Sequence, residues 1–150
     1  MQVSKEGLDL IKKHEGYRDN AYLSPAKVWT IGYGNTFYES GRKVKEGDVI
    51  SKDKAERLLE WVVEDFARNV RSTIKVPLNQ NQFNSLVSFA YNLGIGNLRS
   101  STLLRKVNAN QGDPTIFNEF LRWNKAGGKV LNGLTKRRQE EANLYFEPIK

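Results

Sequence analysis

One run limits the possible folds more than any other. Between residues 52 and 74, Ala55, Leu58, Leu59, Val62, Phe66, Val70 and Ile74 recur at spacings of three and four. That period predicts a long helix with one apolar face. Ser51 stands where an N-cap belongs, Asp53 falls in the first turn, and Pro77 closes the run. The chain on either side of this helix differs in character. The helix is therefore expected to connect a small lobe to a larger one.

The N-terminal side is mostly strand and turn. Residues 3–15 form a short amphipathic helix behind Ser4, with Leu8 and Ile11 on its apolar side, and Gly16 ends it. Tyr22, Val28, Trp29, Ile31, Tyr33 and Phe37 are strand formers, separated by Asp19-Asn20, Ser24-Pro25, Ser40-Gly41 and Glu46-Gly47-Asp48. They predict an antiparallel sheet of two or three strands, which must pack on helices to be stable.

The C-terminal side is helical. Asn79 or Asn81 caps a helix through Phe83, Leu86, Val87, Ala90 and Leu93 that stops at Gly94. Residues 95–101 read as a connector, and 101–109 as a helix. Asp113-Pro114 opens another helix through Phe120 and Trp123, Gly127-Gly128 and Gly133 bracket a loop, and Thr135 caps a last helix closed by Pro148. The outline is α+β in a single domain: an N-terminal helix (3–13) packed on the helical lobe, a β-rich lobe (about 14–51), the connecting helix (52–74) and a helical lobe (about 75–150).

Composition narrows the function. There is no cysteine, which excludes disulfides and thiol chemistry, and the single histidine, His14, cannot anchor a metal site. No cofactor motif is present: Gly32-Tyr33-Gly34 lacks the third glycine and following helix of a dinucleotide loop. The first residues have neither the basic nor the apolar segment of a signal peptide, and no run is long enough to span a membrane. A net charge of +7 suits an anionic partner. The cationic residues are scattered, however, with Lys136-Arg137-Arg138 the nearest to a cluster, and no nucleic-acid motif is visible.

Glu15 is the leading candidate for chemistry. A carboxyl at a helix C-terminus opposes the helix dipole, so its position needs an offsetting cause. With apolar neighbours it could serve as a general acid, and without them it is an exposed helix-end carboxylate. Thr30 is either a strand former on an exposed face or a hydroxyl that binds water or sugar. Gly32 and Gly34 suggest close backbone approach of a ligand or another chain, or else a bulge.

The segments Glu15-Gly16, Ala21-Tyr22, Pro25-Ala26 and Val28-Trp29-Thr30-Ile31-Gly32-Tyr33-Gly34-Asn35-Thr36 resemble the phage-type lysozymes, glycoside hydrolase family 24. The resemblance continues through Pro77–Phe83, Tyr91-Asn92-Leu93-Gly94, Ser101–Arg105 and Trp123 to Arg138. It implies a lysozyme-like fold with an active site in the cleft between the lobes, and a muramidase cleaving the β-1,4 bond between N-acetylmuramic acid and N-acetylglucosamine. In that family Glu15 is the acid, Thr30 assists it and Arg137 orients it, while Thr36, Tyr91, Asn92, Ser101 and Thr102 contact sugar. The implied protein is a monomer acting on peptidoglycan, without cofactor, stable membrane insertion or nucleic-acid partner, released from the host cytoplasm with a holin. Two positions depart from the pattern: Ser24 stands where Asp is frequent, and Asn35 where His is frequent. Ser24 is no effective base, which leaves three readings: Ser24 and Thr30 hold the water by hydrogen bonds, another carboxylate such as Asp19 approaches, or catalysis is weak. The last admits a wall-binding module that does not cut.

Overall fold

Caps written in the sequence set several element boundaries. The computed structural model describes residues 1–149. In chain order the elements are α1 (Lys5–Glu15), β1 (Arg18–Leu23), β2 (Trp29–Gly32), α2 (Lys52–Thr73), α3 (Gln80–Leu93), α4 (Ile95–Ser100), α5 (Thr102–Ala109), α6 (Ile116–Leu121), β3 (Lys125–Ala126), β4 (Lys129–Val130) and α7 (Asn132–Phe146). Ser51 caps α2, its Oγ accepting the Lys54 N–H at 3.2 Å. Asn79, rather than Asn81, caps α3, in a reciprocal box with Gln82.

Contacts divide the chain into two compact units: Leu8–Asp65, and Met1–Gly7 together with everything from Phe66 onward. The boundaries cut α1 and α2, so each unit contains part of both helices.

In the smaller unit β1 and β2 form an antiparallel hairpin that pairs Tyr22 with Thr30 and Leu23 with Trp29, with a bulge between Arg18 and Tyr22. Its three-residue loop, Pro25 to Lys27, is a tight turn in which the Lys27 N–H reaches the Ser24 carbonyl at 2.7 Å and Lys27 itself adopts φ +62. The third predicted strand is reduced to bridges, Asn20 with Val49 and Phe37 with Lys43. Ile11, Ile31, Ala55, Leu58 and Leu59 form the buried interior. Burying each of the larger aliphatic side chains contributes about 1.5–3 kcal/mol. The Lys12–Glu56 ion pair at 3.1 Å links α1 to α2, and Tyr17 donates to the Ile50 carbonyl at 3.2 Å.

In the larger unit α3 is the buried axis: every residue from Phe83 to Ala90 is buried. Phe89 stands edge-on to Phe120 and to Trp123, with centroids 5.9 and 5.6 Å apart. A charged cluster lies within this apolar packing. Arg138 and Glu141, both on α7, are each 0% exposed. Arg138 Nε lies 2.7 Å from Glu141 Oε1 and its NH2 3.0 Å from Oε2, the Ser88 hydroxyl donates to Oε2 at 2.5 Å, and Arg137 Nε reaches the same oxygen at 3.3 Å. Arg137 and Arg138, in the run nearest to a basic cluster, are interior groups.

Four C-terminal expectations are corrected. Residues 95–100 are a helical turn rather than a connector, held by the buried Leu98. Asp113-Pro114 forms a turn before α6, and Asp113 accepts from the Thr115 N–H and hydroxyl instead of capping. The Gly127-Gly128 loop joins β3 to β4 as a hairpin, both glycines at positive φ. Thr135 does not cap α7, which begins at Asn132, and its hydroxyl accepts from Asn124 at 3.1 Å.

Two stability predictions follow from these contacts. Glu141→Gln removes the counter-charge of the buried Arg138 guanidinium and is expected to cost about 3–5 kcal/mol in urea unfolding. A loss below about 1 kcal/mol would show that the cluster is hydrated or rearranges. The Asp48 carboxyl is held below the usual range by the Lys45 N–H and then by the Tyr38 hydroxyl. Its stabilisation is present above the unfolded carboxyl pKa of about 3.9 and is lost as the pH falls through the lower folded value. Asp48→Asn should therefore flatten the acid-side decline measured by unfolding between pH 5 and 2, and an unchanged slope would contradict this.

Candidate active site

Glu15 occupies the last position of α1 and is half-buried. The helix ends there because Gly16 takes φ +72, and its N–H closes back on the Lys12 carbonyl at 2.9 Å. The carboxylate is seated against a second turn. Ile31 and Asn35 exchange both backbone hydrogen bonds, 2.8 and 2.9 Å, which forces Gly32-Tyr33-Gly34 into a tight loop. A Cβ placed on Gly34 would lie 2.9 Å from Glu15 Oε1. The glycine that suggested approach by a ligand or another chain is approached by the chain's own acid. The buried Ile31 and Tyr33 anchor this loop from below, and the Tyr33 ring meets Tyr17 at 5.6 Å, beside the start of β1.

Thr30 is buried, at 5% exposure, not on an exposed face, and its hydroxyl donates to the Val28 carbonyl at 3.0 Å. Ser24 sits where the hairpin narrows. Its Oγ accepts the Val28 N–H at 3.2 Å, which leaves the hydroxyl proton available to another acceptor. With residues 22 and 30 paired, and 24 bonded to 28, the alternation of a strand puts Ser24 and Thr30 on one face of the hairpin. Asn35 is buried, and Thr36 beside it is half-buried. Asp19, weighed as a substitute carboxylate, is exposed and accepts from the neighbouring Asn20 amide at 3.0 Å. His14, one residue before the acid, is half-buried in the last turn of α1.

The remaining candidates belong to the larger unit. Arg137 is buried and donates to Glu141 and to the Ser88 carbonyl, both at 3.3 Å. Tyr91 packs its ring 5.3 Å from Phe66. The Asn92 Oδ1 is buried without a hydrogen-bond partner among the described residues. Ser101 is buried and caps α5, accepting the Leu104 N–H at 3.0 Å and donating to the Leu98 carbonyl at 2.7 Å. Thr102 accepts from Arg105 at 2.8 Å. Among the described residues no group of acids and histidines is arranged to hold a metal.

Sequence reasoning missed the seat that Gly34 provides for Glu15 and the charge network that fixes Arg137. The first had a signal, a glycine inside an aromatic strand pattern. The second had only the i, i+3 and i, i+4 spacing of Arg138 and Arg137 to Glu141, which usually marks a solvated helix face.

A pair of substitutions isolates the seat. Gly16→Ala and Gly34→Ala both force alanine to positive φ, at about 1–2 kcal/mol. Only at Gly34 does the new methyl meet the carboxylate, since nothing lies within 4 Å of a Cβ at Gly16. Urea unfolding should therefore show the larger loss for Gly34→Ala. Equal losses would mean that Glu15 moves aside at no cost.

Comparison with known proteins shows the family of the chain. Residues 12–141 match the phage lysozyme family. The chain is 48% identical over 148 residues to the endolysin of Bacillus phage B103, covering 97% of this chain and 54% of that protein. It is 35% identical to the endolysin of Salmonella phage P22, covering 95% and 97% of the two chains. The chain thus spans about half the length of the Bacillus phage relatives, 54% and 55%. Among solved structures, the endolysin from Escherichia coli O157:H7 phage FAHEc1 superposes with a TM-score of 0.91 at 40% identity, over 98% of this chain and 94% of that one. The muramidase domain of SpmX from Asticaccaulis excentricus superposes at 0.86 with 34% identity, over 98% and 99%. The fold is lysozyme-like, and the chain belongs to the phage lysozyme family.

Proposed function

We propose that this chain is a muramidase that hydrolyses the β-1,4 bond between N-acetylmuramic acid and N-acetylglucosamine in peptidoglycan, with Glu15 as the general acid. The observation that carries this reading is the seat of Glu15: a half-buried carboxyl at a helix end, held against the Gly34 turn within the family's own motif. Family membership supports the substrate and the bond.

In the reaction a protonated Glu15 gives its proton to the leaving glycosidic oxygen as that bond breaks. Water adds to the anomeric carbon, and its surplus proton passes to solvent, from which Glu15 is recharged. Ser24 and Thr30 share a hairpin face, and their hydroxyls hold the water. Serine orients but does not deprotonate, so turnover falls below that of an enzyme with a carboxylate there. Arg137 is the positioning residue for the acid, its guanidinium fixed by Glu141 and the Ser88 carbonyl. The resemblance to the family further assigns Thr36, Tyr91, Asn92, Ser101 and Thr102 to glycan contact. The protein acts as a monomer at the cell wall.

A second reading, a wall-binding module that does not cut, draws on Ser24 alone, whose oxygen is engaged in closing its own turn. Two variants separate the readings. Glu15→Gln should reduce release of reducing ends from purified wall by about 10²–10⁴-fold. Equal rates for native protein and variant would remove Glu15 as the acid, and lysis that survives Glu15→Gln but fades with salt would point to membrane damage by charge. Ser24→Asp should raise the rate, because a base then faces the water. A rise only from zero would favour the binding module, and no rise would clear Ser24 of limiting the reaction.

A further inference from the structure

The smaller unit contains a pocket of about 420 Å³ whose chemistry the muramidase reading does not use. Tyr38, Arg42 and Asp48 line one wall, and Lys54 and Arg57 of α2 line another. The first wall is fixed. The Arg42 guanidinium lies 4.6 Å from the centre of the Tyr38 ring, and its NH1 is 3.4 Å from Asp48 Oδ2. The Tyr38 hydroxyl donates to that same oxygen at 2.8 Å, and the Lys45 N–H at 3.1 Å. Asp48 is thus already engaged three ways, with a hydroxyl, an amide and a guanidinium.

The second wall is different. Lys54 and Arg57, three residues apart, present one helix face. Neither side chain has a hydrogen bond or ion pair among the described residues. Glu39, exposed at the edge, is the one other carboxylate in the lining, so three cations face two acids of which one is occupied. Val49, 71% exposed, adds an apolar surface beside them.

We propose that this pocket takes a carboxylate of the peptide stems that peptidoglycan carries, so that the enzyme grips peptide as well as sugar. The inference rests on the muramidase reading and adds to it a determinant of substrate choice. A neutral glycan has no use for two unpaired cations. A carboxylate matches the planar fork of Arg57 with Lys54 beside it, and the small apolar residue of a stem can lie on Val49. The volume admits the end of a short peptide rather than a bare ion alone.

The test compares intact wall with glycan strands stripped of peptide by an amidase. Lys54→Gln combined with Arg57→Gln should lower the preference for intact wall about fivefold, through KM rather than kcat. Arg57→Lys in place of Gln should restore part of it. Lys125→Gln with Lys129→Gln removes the same charge from the exposed β3–β4 hairpin and should leave the preference unchanged. An unaltered preference in the pocket variant overturns the proposal, as does an equal fall in both double variants, which would reduce the effect to net charge. Glu15→Gln tested on both substrates keeps the two claims separate: activity that survives on either substrate sinks the muramidase reading itself.

Discussion

The arrangement around Glu15 depends on one close approach, that of its carboxylate to the backbone of Gly34. A side chain at residue 34 would occupy the space of the acid. The approach exists because two glycines adopt left-handed backbone, one ending α1 and one in the turn after β2, and because the Ile31–Asn35 bond pair tightens that turn. Ile31 in that turn is buried, and the Lys12–Glu56 pair ties α1 to α2. An acid at a helix C-terminus is electrostatically unfavourable, and here the surrounding turns supply what holds it.

The larger unit solves a different problem. It buries two arginines in a core of Phe89, Phe120 and Tyr145. Burial works against the charge of Arg138, and Glu141 opposes that effect. The Ser88 hydroxyl and the Phe89 ring, 5.3 Å from the Arg138 guanidinium, complete the enclosure. Arg137 is thereby held on α7 with little freedom to swing. A hydrophobic replacement of the cluster could be equally stable, but it would remove the Glu141 carboxylate to which Arg137 donates.

Much of this was legible in the sequence, and the exceptions have physical causes. The period of residues 55–74 and the caps at Ser51 and Asn79 were readable because helix, cap and burial agree there. The six-residue α4 was not, since Gly96, Asn97 and Ser100 are weak helix formers and the turn forms around the buried Leu98. Thr135 looked like a cap but lies inside α7, whose start at Asn132 has no side-chain cap. Gly127-Gly128 carries a hairpin signal, but the flanking strands are only two residues each, too short to show a strand's alternation. At the candidate site the helix-end position of Glu15 was readable and its seat against Gly34 only partly so. The burial of Thr30 and the turn-closing role of Ser24 follow from cross-strand pairing, which a linear reading does not supply.

On the proposed mechanism the bond is hydrolysed: Glu15 would protonate the glycosidic oxygen, and water held by hydroxyls, without a second carboxylate, would complete the reaction. The alternative fate of the same bond is attack by the sugar's own 6-hydroxyl, which needs no water. Mass spectrometry of fragments released from purified wall in isotopically labelled water distinguishes them directly. The account predicts reducing-end N-acetylmuramic acid carrying the labelled oxygen at its anomeric carbon. Fragments ending in an unlabelled anhydro sugar, or released by cleavage of the peptide stem instead of the glycan, would contradict it.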